Sequence, residues 1–179
     1  NTSFFPKKWY LRILTEQLIG YEVEHLNEYD YLIAISDCDL EKYKGLGYRN
    51  GAMSSPVGLR LEKYSPATTP QTRSISFIGS LDWMPNQEGL QWFLDHVMPQ
   101  LNDVELHVAG RNTPSHIQSL SIPHVQIHGE VEDALGFIDG HDIMVVPLLS
   151  GSGIRVKILE GMAMGKVVVT TSKGMEGIG

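Results

Sequence analysis

The chain is expected to be an α/β protein with a doubly wound parallel sheet, and three observations predict it. Short apolar, β-branched runs recur near 74–79, 104–109, 124–128, 142–146 and 167–171, the pattern of strands buried on both faces. Helical segments alternate with them, which selects parallel pairing through right-handed crossovers. A further run, DYLIAIS at Asp30 to Ser36, reads as another buried parallel-type strand, upstream of a Ser/Thr/Pro-rich stretch.

Composition sets the bounds. The 179 residues are 42% hydrophobic and 20% charged, enough apolar material for a core and too little charge for a disordered chain. A net charge of −7 argues against non-specific nucleic-acid binding and supplies no polybasic anchor. The one cysteine, Cys38, excludes an intramolecular disulfide and a cysteine-based zinc cluster, so a reducing, cytoplasmic compartment is expected. No apolar run approaches the ~18–20 residues that span a bilayer. The chain does not begin with Met and stops eight residues after a strand. A sheet of βαβ units should continue with a helix there, so a fragment is expected.

In chain order, Phe4 to Tyr29 reads as one long helix. Its Trp9, Tyr10, Leu11 and Ile13 are expected to pack in a core. A partner-facing or peripheral membrane stripe is the alternative, helped by Lys7, Lys8 and Arg12. After the strand at 30–36, Asp37 is expected to cap a short helix through Tyr43, stopped by Gly45 or Gly47. Asn50 to Gly58 reads as a loop holding at most one short strand. Leu59 to Thr72 has no period and reads as an interdomain linker. The domains are therefore expected at 1–58 and 73–179, joined by 59–72.

Ser74 to Gly79 opens the second sheet. A loop, Ser80 to Asn86, leads into a helix with Leu90, Phe93, Leu94 and Val97 on one face, its start marked by Pro85. Asp82 and Trp83 read as loop-packing residues. Val104 to Ala109 is the next strand, with Arg111 placed to reach the sheet's carboxyl edge or to be solvated. Pro114 starts a short helix over Thr113 to Ser119. His124 and His128 lie on one face of the following strand, about 13 Å apart along it and too distant to share a metal. Glu132 to Asp139 is helical.

The most informative stretch is His141 to Thr171: strand, glycine-rich loop, helix, strand. Ser150-Gly151-Ser152-Gly153 supplies a flexible turn and hydroxyls able to cap a helix from about Ile154 to Met164. Ile154, Ile158, Leu159 and Met162 share an apolar face. Arg155 and Lys157 fall at the end of the helix dipole that disfavours cations. A bound anion reverses that sign, and free amides after a glycine-rich loop make an anion site. The loop therefore reads as a phosphate cradle walled by Arg155 and Lys157. The plain alternative is an ordinary βαβ unit whose Lys157–Glu160 pair is a solvated surface contact.

SGSGIRVKILEGMAMGKVVVTT resembles the donor-site segment of group 1 (family 4-type) retaining glycosyltransferases with the GT-B fold. One branch of that family has a Ser/Gly loop followed by Gly-x-Arg-x-Lys, as here. LNEYDYLIAISDCDLEKYKGLG and SPVGLRLEKY resemble the end of the family's N-terminal, acceptor-binding Rossmann-like domain and the crossover into its donor-binding Rossmann-like domain. The resemblance implies that Glu160 contacts the ribose of a UDP- or GDP-linked sugar. It implies that Arg155 and Lys157 stabilise the leaving diphosphate as catalytic groups. Gly151, Ser152 and Gly153 would approach the phosphates, and the Gly129-Glu130-Val131 turn would flank the base. Gly79 and Arg111 would line the same cleft.

The family's usual first glutamate falls at Ser152, so that acid is absent. In the first loop Ser80 stands at the family's Arg position, and its Lys position falls near Asn86. The implied reaction needs no metal and no other cofactor. It moves a sugar to a glycan or lipid-linked acceptor, in cell-surface polysaccharide assembly at the inner membrane face. The family's catalytic histidine lies upstream of this chain, so these residues alone are expected to bind donor weakly without turnover. A GT-B sugar-nucleotide epimerase is one alternative, although no acid/base group beyond Glu160 is in view. A catalytically silent GT-B interaction domain is the other. No G-x-G-x-x-G, Walker A, G-x-S-x-G or H-E-x-x-H pattern occurs.

Overall fold

The computed structural model describes residues 4–64 and 73–178. The chain divides into two compact units, Asn1–Val57 and Gly58–Gly179. The expected linker over 59–72 lies outside the described residues from 65 onward. Its first part carries a short 3-10 turn at Leu61–Lys63.

The first unit holds helix α1 (Phe4–His25), strand β1 (Tyr31–Ala34), helix α2 (Asp37–Gly45) and strand β2 (Gly51–Ser54). The long helix ends earlier than expected, passing into a 3-10 turn at Leu26–Glu28. The Asn27 side chain binds Gly47 O and Arg49 N there, holding the chain against the next loop. β1 and β2 pair in parallel from Tyr31↔Gly51 to Ala34↔Ser54. Ser36, not Asp37, caps α2. Ser36 is the last extended residue, so its hydroxyl reaches the Asp39 amide at 3.1 Å. Asp37 already lies inside the first turn, where its carboxylate accepts from the Ser54 hydroxyl. The expected core packing of α1 does not hold in this unit: Trp9 and Tyr10 are 68% and 60% exposed.

The second unit is the doubly wound α/β body. Strands β3 (Ser74–Ile78), β4 (Glu105–Ala109), β5 (Val125–Gly129), β6 (Ile143–Val146) and β7 (Val167–Thr170) form one parallel sheet in the order β5-β4-β3-β6-β7. Helices α3 (Met84–His96), α4 (Ser115–Gln118), α5 (Ala134–Asp139) and α6 (Val156–Ala163) connect them. Because side chains alternate across the pleat, the sheet has two distinct faces. Ile75, Phe77, Leu106, Val108 and Val145 pack with Leu90, Phe93 and Leu94 of α3 and with Met98 and Ile117. Met144 and Val146 pack on the opposite side with Ile138 of α5, Ile158 of α6 and Met164. Burying each such side chain contributes about 1.5–3 kcal/mol.

Three expectations change here. α6 begins at Val156, with Arg155 at its cap position and no side-chain cap. Gly151 and Gly153 both take positive φ (94° and 90°), which keeps the preceding loop out of the helix and leaves Ser150 and Ser152 too far back to cap it. Met162 is exposed rather than on the apolar face, and Ile158 and Gly161 carry the burial instead. His124 has φ 60° and precedes β5, so it does not share a strand face with His128.

The strand order places a reversal between β3 and β6. From β3 the chain runs outward through β4 and β5, then crosses back to β6. In such sheets the crevice beyond the strands' carboxyl ends at the reversal is where ligands bind.

Candidate functional site

The loops leaving β3 and β6 meet at that reversal. β3 ends in Ile78, and Gly79-Ser80 follows. β6 leads through Pro147 and Leu148 into the glycine loop and α6. The α3 residue Asn86 is buried between them. Its Nδ2 donates to Ser80 O at 2.8 Å, and its Oδ1 accepts from Lys157 Nζ at 3.3 Å.

Lys157 does not pair with Glu160. Its ammonium donates to Ile78 O at 2.9 Å and lies 5.4 Å from the Phe77 ring centroid. Loss of water by burial, and then the neighbouring Arg155 charge, push its pKa from 10.5 down to about 8. A Cβ on Gly79 would stand 2.8 Å from Asn86 Nδ2 and 3.0 Å from Lys157 Nζ. A side chain there would displace the ammonium.

Arg155 is buried, 7% exposed. Its Nη1 donates back to Ser152 O and Gly153 O. Its Nε and Nη2 have no hydrogen-bond partner among the described residues, a costly state for a buried charged donor. Trp83 covers this group, with its ring centroid 5.8 Å from the guanidinium carbon. Trp83 also lies against the bend: a Cβ on Gly151 would be 3.1 Å from the indole and 3.3 Å from Arg155 Nη2. No carboxylate among the described residues forms a salt bridge with Arg155 or Lys157. Two uncompensated cations therefore sit at the sheet reversal, at the start of α6, where the helix's free amides add partial positive charge.

Beside them a cleft of about 560 Å³ opens across the carboxyl ends of β3, β4 and β5. It is lined by Ile78, Gly79, Ser80, Gly110, Arg111 and the stretch Glu130–Val131–Glu132, with Ala134. The structure thus brings Gly79, Arg111, Glu130 and Val131 to one cleft. Gly129, which precedes Glu130 at the end of β5, is not among the lining residues and has φ 71°. Gly151, Ser152, Gly153, Arg155 and Lys157 stand on the other side of Gly79. Glu160, on the second turn of α6, accepts a hydrogen bond from the Tyr64 hydroxyl at 3.1 Å.

Sequence reasoning did not find Asn86, Tyr64 or the role of Trp83 as a lid over Arg155. Asn86 carried a signal, because the resembling family's lysine position falls near it. Also unforeseen is a histidine cluster on the α5 face of the sheet. His107 Nδ1 and His128 Nε2 lie 2.9 Å apart, and the His141 ring centroid is 4.5 Å from that of His107. Among the described residues no three His, Cys, Asp or Glu side chains are placed to hold a metal ion. Nor is any described helix long and apolar enough to cross a membrane.

Comparison with known proteins bears on this arrangement. A relative from Klebsiella pneumoniae, the "uncharacterized 44.6 kDa protein in cps region", is 30% identical over a match covering 59% of this chain and 31% of its own length. The chain thus spans less than a third of that relative. Staphylococcus aureus TarM shares the fold with a TM-score of 0.70 at 13% identity, covering 84% of this chain and 31% of TarM. The pneumococcal O-GlcNAc transferase GtfA in complex with UDP and GlcNAc scores 0.68 at 12% identity, over 85% and 32% of the two chains. Anabaena Alr3699/HepE in complex with UDP-glucose scores 0.68 at 16%, over 87% and 49%. At these identities the likeness is one of fold. The family described as glycosyl transferases group 1 matches residues 72–178, more than half of the chain, and includes the whole sheet with its cleft and both cations; the chain belongs to that family.

Proposed function

We propose that this protein serves glycosyl transfer, holding a nucleotide-diphosphate sugar, UDP- or GDP-linked, for delivery to a glycan or lipid-linked acceptor. The observation that carries the reading is the buried Arg155, whose Nε and Nη2 have no hydrogen-bond partner among the described residues, beside the half-buried Lys157. A diphosphate supplies the acceptor oxygens that these donors lack, and it offsets the mutual repulsion of the two cations. In the transfer, the bond from the anomeric carbon to the diphosphate oxygen breaks, a bond to the acceptor oxygen forms, and the acceptor's hydroxyl proton passes to the departing diphosphate. The departing diphosphate gains negative charge. Arg155, Lys157 and the first amides of α6 stabilise that charge where it develops.

The cleft from Gly79 to Val131 runs away from Lys157 across two strand spacings, about 10 Å. That matches the reach of a nucleoside from its phosphate, with the base at the Gly129–Val131 turn and Glu160 accepting from the ribose hydroxyls. Retention at the anomeric carbon and the absence of a metal requirement belong to the same reading. UDP and sugar ligands in the GtfA and HepE complexes support it. The cps-region location of the Klebsiella relative supports a role in cell-surface polysaccharide assembly.

The test is calorimetric titration with UDP and with GDP, on the protein and on Arg155→Ala. At least one nucleotide is expected to bind, and the substitution to lose about 1.5–3 kcal/mol, the range for a hydrogen bond to a charged group. Absence of binding by both nucleotides would overturn the proposal.

A further inference from the structure

We propose that Tyr64 is a positioning residue for Glu160, holding its carboxylate ready for the ribose of the bound nucleotide. The inference rests on the donor-binding reading above and adds to it a residue 96 positions away in sequence. The Tyr64 hydroxyl donates to Glu160 Oε1 at 3.1 Å. The tyrosine ring is anchored, packed against the cluster of Ile138, Met144, Val146, Leu148, Ile158 and Met164. A hydroxyl fixed to an anchored ring fixes its acceptor in turn.

The chemistry of the bond suits the task. A carboxylate has about four acceptor sites, and Tyr64 takes one on Oε1. Oε2 and the second Oε1 lone pair stay open for a pair of vicinal hydroxyls. Lys157 could have reached Glu160 across one helical turn, but it is directed to Ile78 O instead. Glu160 is therefore held by a neutral donor, and no cation among the described residues forms a salt bridge with it. A carboxylate acceptor makes stronger hydrogen bonds than a neutral one. Burial, and then the adjacent Glu160 carboxylate, raise the Tyr64 pKa, so the hydroxyl remains a donor at neutral pH. Fixing the flexible glutamate before the donor arrives removes an ordering cost from binding.

The experiment compares binding of UDP and GDP with that of their 2′-deoxy and 3′-deoxy analogues, read as the ratio of affinities for ribose over deoxyribose. Four proteins are titrated: the wild type, Glu160→Gln, Tyr64→Phe and the double variant. Glu160→Gln is expected to shrink the ratio roughly ten-fold. Tyr64→Phe keeps the ring, and is expected to leave the melting temperature close to wild type and to shrink the ratio about three- to ten-fold. The double variant should match Glu160→Gln alone. A Tyr64→Phe ratio equal to wild type, with Glu160→Gln reduced, overturns the role of Tyr64 and leaves the donor reading standing. An unchanged ratio in Glu160→Gln overturns the ribose contact and the inference with it. Absence of binding by both UDP and GDP removes the donor reading itself.

Discussion

The Lys157 ammonium donates to the carbonyl oxygen of Ile78 at 2.9 Å, pinning the first turn of α6 to the carboxyl end of β3. These residues stand 79 positions apart, on the two elements that flank the sheet reversal. The contact holds a cation beside the cleft in a place where burial disfavours its charge.

A pH dependence follows. Lys157 is charged below about 8 and loses its proton above that value. Nucleotide affinity is expected to fall by about ten-fold between pH 7 and pH 9.5, and Lys157→Arg to flatten the profile. Stability moves the opposite way. The unfolded lysine keeps its proton to about 10.5, so between 8 and 10.5 the unfolded state binds more protons and stability rises with pH. Lys157→Met is expected to abolish that rise, to stabilise the protein at pH 7 by about 1–3 kcal/mol, and to lose nucleotide binding. Urea titrations at pH 7 and 10, paired with calorimetry, measure both. A destabilised Lys157→Met protein would sink this account of the buried charge.

Gly110 sets how closely β3 and β4 end together. A Cβ there would meet the Gly79 carbonyl oxygen at 2.0 Å. Both residues line the cleft. Gly110→Ala must push the two strand ends apart, and is expected to cost about 1–3 kcal/mol of stability and to weaken nucleotide binding as well. A urea midpoint equal to wild type would show that the close approach carries no strain.

The histidine cluster predicts acid sensitivity. Burial first, then the neighbouring His141 and His128, lower the pKa of His107 against the partial opposition of Glu105. Burial also lowers that of His141, against its bond to Phe137 O; the neighbouring His128 and Lys166 lower it further and Asp142 opposes them. As pH drops below about 6.5, the unfolded chain takes up these protons before the folded one does. Stability is therefore expected to fall between pH 7 and 5, and His107→Gln to reduce the fall. Melting temperatures across that range test it, and equal slopes for the two proteins would count against the cluster.

What the sequence determined by itself was the layered α/β architecture and the strand–glycine loop–helix–strand unit around Arg155 and Lys157. Both depend on local information: apolar runs of strand length, glycines where φ is positive, helix periods between them. Contacts across the sheet were not legible in this way. Spacing along α6 offered Glu160 as the partner of Lys157, whereas folding brought Ile78 O and Asn86 closer. Parallel pairing of β4 with β5 brought His107 within 2.9 Å of His128, 21 positions away in sequence. Tyr64 met Glu160 only because the chain entering the second unit packs beneath α6. Each of these pairings is long-range, and strand order and packing decide them, because a side chain's partners come from whatever the fold lays beside it.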